Sequence, residues 1–297
     1  MKRVLTFDGA VDLRLTLKAL QHGRGDPTTR VDIAEAWRAT RTPEGPATQH
    51  LRLVAGRVEV EAWGAGATWL LERAPDLLGM HDDPRSFAPE HPRLREMHRR
   101  HPGFRVGRSH AVVETIVPTI LEQKVTGAGA RRSYRALIRA FGEPAPGPFG
   151  LRLQPDPKVL ASLPYQDFHP FGVERRRAAT LKVACSYAAR LEETNTMDLD
   201  AARKRMMALP GVGVWTTALV AGIAWGDTDA VELNDFHVPH QVCWFLAGEP
   251  RGTDERMLEL LEPYAGQRWR ALRLIEASGV GAPRFGPRLE ITDYAKI

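Results

Sequence analysis

Two features of this sequence could do chemistry together. The first is the run Leu209, Pro210, Gly211, Val212, Gly213, followed by Val214, Trp215 and Thr216. The second is Asp235, 22 residues after Gly213, in the run Val231, Glu232, Leu233, Asn234, Asp235, Phe236. Pro210 blocks continuation of a helix, because it lacks an N–H and its ring clashes with the preceding turn. Gly211 and Gly213 permit backbone angles closed to other residues. The run therefore predicts a tight hairpin between two helices, with unpaired amides at the start of the second. Such amides bind an anion, and phosphate suits them best. Asp235 is expected to start a helix capped by Asn234, where the helix dipole favours a carboxylate. A fixed carboxylate is suited to stabilising positive charge that develops during a reaction. An Asp in a first helical turn is ordinary by itself; beside an anion-binding hairpin it becomes a catalytic candidate.

The elements that must position these residues are mostly helical. Residues 201–208 and 214–224 are the expected hairpin arms. Upstream, 111–124 carries Val112, Ile116, Ile120 and Leu121 at helical spacing, and 128–141 carries Tyr134, Leu137 and Ile138. A long helix is expected over 173–191, and further helices over 236–246, 253–264 and 267–277, the second started by Thr253. Residues 149–170 are Pro-rich and read as irregular. Before residue 100 the pattern is mixed. Residues 4–7, 50–54 and 58–62 read as strands, the last two as a hairpin turning at Gly56. Residues 11–20 and 67–78 read as helix, as does 92–100 in the Pro- and His-rich boundary region. The expected fold is an α+β N-terminal domain (1–100), then an all-α helical bundle (101–282) containing a helix-hairpin-helix motif (198–224), then an extended tail (283–297).

Composition narrows the partners. The chain has 297 residues, is 43% hydrophobic and 26% charged, and carries a net charge of +5. That composition is globular, and the basic balance favours a polyanion. Arginine clusters at 99–100, 131–132, 175–177 and 203–205 offer forked donors to phosphate, or form solvated helix faces. Two distant cysteines, Cys185 and Cys243, argue against a disulfide framework or a four-cysteine cluster. No signal-peptide pattern and no long apolar run is evident. The expectation is a cytoplasmic protein without a membrane partner.

At this point the sequence resembles the helix-hairpin-helix DNA glycosylase superfamily, and within it the AlkA-type enzymes. The resemblance rests on 209–213 with Trp215 and Thr216, on Asp235, on Ile120, Leu121, Gln123, Val125 and Thr126, and on 101–104. It implies that Asp235 is catalytic and stabilises an oxocarbenium-like sugar as the N-glycosidic bond breaks. It implies a base pocket at Trp215, Trp269 and Leu219, with Leu219 departing from the family's Tyr. Each Trp is equally readable as core. It implies DNA contacts from Gly211, Val212, Gly213, Thr216, Gln123 and Lys124. Lys124 stands where the family has an apolar wedge and would reach a phosphate or the orphan base; Gln123 would touch the opposite strand or cap its helix. Trp215 occupies the place of the Schiff-base Lys of bifunctional members, so hydrolysis without strand cleavage is expected.

The implied function is a monofunctional glycosylase for alkylated purines such as 3-methyladenine and 7-methylguanine, acting as a monomer on double-stranded DNA. The resemblance implies no required cofactor beyond a monovalent cation at the hairpin carbonyls. A cationic base leaves without a general acid, so no second carboxylate is invoked; Glu232 is either a neighbour of Asp235 or, the preferred reading, an exposed loop residue. His237, His240 and Cys243 recur every three residues, but 300° steps point the first and last about 120° apart on a helix, so no metal site is expected. The rival readings are a non-catalytic DNA-binding or damage-sensing protein, and a glycosylase for oxidised or deaminated bases. A pure binder has no need of a carboxylate facing phosphates.

Overall fold

The computed structural model describes residues 1–283, so the expected tail beyond Pro283 lies outside the described residues. The chain opens with β1 (Lys2–Thr6), α1 (Leu13–Leu17), β2 (Thr29–Val31), β3 (Glu35–Thr42), β4 (Gly45–Val54), β5 (Arg57–Gly64) and α2 (Ala67–Leu77). The strands form one antiparallel sheet in the order β1-β5-β4-β3-β2. Alternation decides its faces: Val58, Val60 and Ala62 of β5 point inward with Leu51 of β4, against Leu70, Ala74 and Leu77 of α2. Glu59 and Glu61 alternate with them on the other side. The β4–β5 turn places both Ala55 and Gly56 at positive φ, 47° and 76°. Strands β2 and β3 were not expected, because Glu35–Thr42 interrupts its apolar residues with Arg38 and Arg41. The sheet supplies their reason: Ala39 packs on Leu151 and Leu153, and Trp37 meets Phe149 edge-on.

The remainder is helical: α3 (Pro92–Arg100), α4 (Val112–Glu122), α5 (Gly127–Phe141), α6 (Pro157–Ser162), α7 (Tyr165–Phe168), α8 (Arg175–Ser186), α9 (Ala188–Glu192), α10 (Leu199–Met207), α11 (Val214–Val220), α12 (Val238–Ala247), α13 (Asp254–Leu261) and α14 (Arg268–Ala277). An α+β part is thus followed by a helical part, as expected. The single long helix expected over 173–191 breaks at Tyr187 into α8 and α9, although no Pro or Gly marks the break. The Pro-rich stretch 149–170 holds the short helices α6 and α7. Central α4 is buried along nearly its whole length, from Val112 to Leu121. Arg177 of α8, itself buried, donates to the Leu121 carbonyl at 2.8 Å and the Gly172 carbonyl at 3.0 Å, and so closes the C-terminal end of α4. After α11 the helix widens into a π-turn, Ala221–Trp225. Ser109 and His110 donate their amides to the carbonyls of Ile223 and Ala224 in that turn.

Candidate active site

Helix α10 begins at Asp198, whose side chain accepts the Ala201 amide at 2.9 Å, and ends before the turn 208–213. Gly211 has φ +84° and lies against α8, where a Cβ would fall 2.1 Å from Thr180 Oγ1. Only glycine satisfies both conditions. Gly213 is extended and exposed, with nothing within 4 Å of a Cβ position. It precedes α11 without a side-chain cap. The first amides of α11 have no acceptor within the helix. Val212 is buried and anchors the turn, with its amide donating to Leu209 at 3.0 Å.

Asp235 sits three residues before the helix that it was expected to start. Asn234 turns into the left-handed region (φ +64°), and α12 begins only at Val238, with His237 as its cap residue and Pro239 in its first turn. The carboxylate nevertheless serves that helix start. Oδ1 accepts the amides of His237 at 2.7 Å and Val238 at 2.9 Å, while Oδ2 accepts Trp215 Nε1 at 2.8 Å. Three N–H donors from two elements thus fix one half-buried carboxylate beside the start of α11.

The other named residues divide. Trp215 and Leu219 are half-buried, four residues apart on α11 and therefore on one face. Trp269 of α14 is 3% exposed and has no open face for a stacking base. Its ring packs against Gly222 in the π-turn, where a Cβ would come within 2.4 Å, and the Arg273 guanidinium lies 4.2 Å from its centroid. Gln123 and Thr216 hold each other rather than facing outward. Gln123 Nε2 donates to buried Thr216 Oγ1 at 3.0 Å and to the Gly211 carbonyl at 3.1 Å. Lys124, next along the chain, is exposed and in the left-handed region at φ +56°.

Two carboxylates escaped the sequence reading. Glu232 is not an exposed loop residue; it is 4% exposed and paired with Arg273, which also holds Glu276 at 3.0 Å. The reason is the half-buried Arg273 cation brought from α14, which no local pattern announces. Glu122, the last residue of α4, is half-buried. Burial pushes its carboxyl up to about 7; Arg131 opposes this, and the negative charges of Glu232, Asp235 and Glu276 add to it.

The arginine clusters are mostly structural. Arg99 and Arg100 pair with Glu96, Arg203 with Asp200 and Asp227, and Arg205 with Glu193. Among the described residues no group of His, Cys, Asp or Glu could hold a metal. His240 Nδ1 accepts the Gly252 amide at 3.0 Å and Cys243 is fully buried. No helix among the described residues is long and apolar enough to cross a membrane. A cleft of about 320 Å³ lies beside the sheet, at Arg30, Trp37 and Phe149, and no residue of 209–235 lines it.

Several solved DNA glycosylases share this fold. The chain superposes on the 3-methyladenine DNA-glycosylase of Archaeoglobus fulgidus with a TM-score of 0.78 at 19% identity, covering 93% of this chain and 98% of that one. MBOgg1, solved with a low-affinity DNA ligand, gives 0.72 at 16% identity over 94% and 96% of the two chains. The 3-methyladenine DNA glycosylase Mag1 of Schizosaccharomyces pombe, solved with abasic DNA, gives 0.54 at 15% identity over 68% and 98%. In sequence the chain is 28% identical over 172 residues to the probable bifunctional transcriptional activator/DNA repair enzyme AlkA of Mycobacterium tuberculosis. That match takes in 55% of this chain and 34% of the relative, so the chain spans about a third of the curated relative's length. No family model matches.

Proposed function

We propose that the protein is an AlkA-type DNA glycosylase that hydrolyses the N-glycosidic bond of alkylated purines in duplex DNA. The observation that carries this reading is the Asp235 carboxylate, fixed by Trp215 Nε1 and two α12 amides beside the uncapped start of α11. In this reading 198–224 is a helix-hairpin-helix motif, and the backbone of Gly211, Val212 and Gly213 grips a phosphate. Lys124 adds a cation beside the clasp, and Gln123 and Thr216 hold the two in register. Asp235 faces the sugar as positive charge develops and stabilises it electrostatically. Trp215 and Leu219 form the wall met by the extruded base, and Trp269 backs that wall from within. With an indole at 215 instead of an amine, the reaction ends at hydrolysis. The reading further assigns residues 1–100 and 101–282 to two domains of a monomeric cytoplasmic repair enzyme. The turn's backbone carbonyls are hard oxygen donors of the kind a monovalent cation takes, with Gly211's already engaged by Gln123.

The test is release of free bases from methylated duplex DNA, identified by chromatography. Wild-type protein should release 3-methyladenine and 7-methylguanine, and Asp235→Asn should slow release roughly 100- to 1,000-fold. Full activity in Asp235→Asn would remove the mechanism. Borohydride trapping of a covalent DNA adduct would remove the monofunctional assignment.

A further inference from the structure

We propose that Glu122 donates a proton to the departing base, working beside Asp235 in the glycosylase reaction proposed above. Its placement comes first. Glu122 ends α4, and the next residue, Gln123, is bonded to Thr216 Oγ1 at 3.0 Å and to the Gly211 carbonyl at 3.1 Å. Thr216 adjoins Trp215, whose indole holds Asp235 at 2.8 Å. The end of α4 is therefore tied by one side chain to both the turn and α11, whose Trp215 holds the candidate carboxylate.

Charge comes second. A carboxylate at a helix C-terminus meets the negative end of the helix dipole. Three more carboxylates act on it: Glu232 and Asp235 from the loop before α12, and Glu276 from α14. Glu232 is neutralised by Arg273, and Glu276 by Arg273 and Lys18. Arg131 of α5 attracts the Glu122 carboxylate and partly offsets the rest. With burial as the largest cause, the carboxyl is pushed up to about 7. About half the molecules then carry its proton at neutral pH. Among the described residues no hydrogen bond occupies its side chain, so the proton is available.

The chemistry gives that proton a use. As the bond from C1′ to the base nitrogen breaks, its electron pair leaves with the base. A proton moves from the Glu122 carboxyl to a ring nitrogen of the base. Water then adds its hydroxyl to C1′, and its proton returns to the Glu122 carboxylate. A base methylated on a ring nitrogen is already cationic and gains little from this step. A neutral damaged purine gains most, because it otherwise leaves as an anion. Glu122 thus extends the site from cationic to neutral bases.

The experiment compares single-turnover release of hypoxanthine, a neutral base, with that of 7-methylguanine, a cationic one, between pH 6 and 9. In the wild type, hypoxanthine release relative to 7-methylguanine should fall about tenfold per pH unit above pH 7. Glu122→Gln should lower hypoxanthine release roughly 100-fold more than 7-methylguanine release and should flatten that pH dependence. The wild-type profile needs no variant to fold, and thermal unfolding checks the variant. Equal losses for the two bases, or a ratio flat across pH in the wild type, would overturn the inference. Release of 7-methylguanine without hypoxanthine overturns it while leaving the glycosylase reading intact. Release of neither base removes the glycosylase reading itself, and the role of Glu122 with it.

Discussion

The two hairpin glycines make opposite demands, and alanine at each separates stability from binding. Gly211→Ala places a side chain on a residue at φ +84°, which costs about 1–2 kcal/mol for an L-residue. Its Cβ would also lie 2.1 Å from Thr180 Oγ1 and 3.0 Å from Thr180 Cγ2. Thr180 is buried on α8 with its hydroxyl bonded to the Arg176 carbonyl at 3.1 Å, so it has little freedom to give way. Such overpacking costs a further ~1–3 kcal/mol. The sum, about 2–5 kcal/mol, should lower the unfolding temperature by roughly 4–15 °C in a chain of this size. Thr180→Ala in the same protein should recover the packing part and leave the backbone part. Gly213→Ala is the contrast: its φ of −113° suits alanine, and its Cβ would touch nothing within 4 Å. It should unfold within about 2 °C of the wild type, yet place a methyl where a phosphate would approach, and weaken binding roughly tenfold or more. Differential scanning fluorimetry and fluorescence anisotropy with a labelled abasic duplex read the two effects. If Gly211→Ala unfolds with the wild type, or Gly213→Ala binds DNA as tightly as the wild type, the account of this turn is wrong.

Other consequences are as direct. Arg270 has 0% of its side chain exposed and is paired with Asp82, with further bonds to the Phe104 carbonyl at 3.0 Å and Gln267 Oε1 at 2.6 Å. Arg270→Met strands the Asp82 charge and should cost about 3–5 kcal/mol in urea unfolding. His22 is lowered to about 4, burial being the largest cause, with Glu114 opposing it and Arg131 adding to it. Its neutral form is favoured in the fold, so its contribution is complete above pH 6.5 and is lost as pH falls toward 4, by roughly 2 kcal/mol after allowance for its partial exposure. His22→Gln should therefore show a shallower loss of unfolding free energy between pH 6.5 and 4; matching slopes would refute this. Trp215→Phe removes the Asp235 N–H donor and should slow base release roughly tenfold with little change in unfolding temperature, measured in the same base-release assay. DNA affinity should fall steeply between 50 and 200 mM salt, and a flat response would argue against phosphate contacts.

The hairpin was legible because its information is local: Pro210, Gly211 and Gly213 restrict the backbone whatever surrounds them. The start of α12 was misplaced for a related reason. Asn234 reads as a cap, and only the left-handed turn it adopts moves the helix start to Val238. Asp235 accepts the amides of His237 and Val238 from outside the helix, so its place at a helix N-terminus was readable although the first helical residue was not. Glu232 was misread and Glu122 missed because their neighbours come from distant elements, Arg273 of α14 beside Glu232 and Arg131 of α5 beside Glu122. A charged residue is taken as exposed until a partner such as Arg273 is known. The arginine clusters were left between two readings, and their ion pairs favour the solvated helix face for several of them. Adjacent cations suggest a phosphate surface, but Glu96, Asp200 and Glu193 take up several of them within or next to their own helices. The π-turn after α11 left no trace in the sequence; it sets Gly222 against the Trp269 ring, where no Cβ would fit.

The amide of Gln123 has a metric consequence. Its bonds to Gly211 and Thr216 fix the backbone just before Lys124 to the turn proposed above as the phosphate clasp. The two are marks on one ruler. On the reading proposed above, a DNA strand that met both would have to match that interval. Gln123→Ala would keep both marks and loosen the scale, which a nuclease footprint would register as a blurred boundary around an unchanged centre.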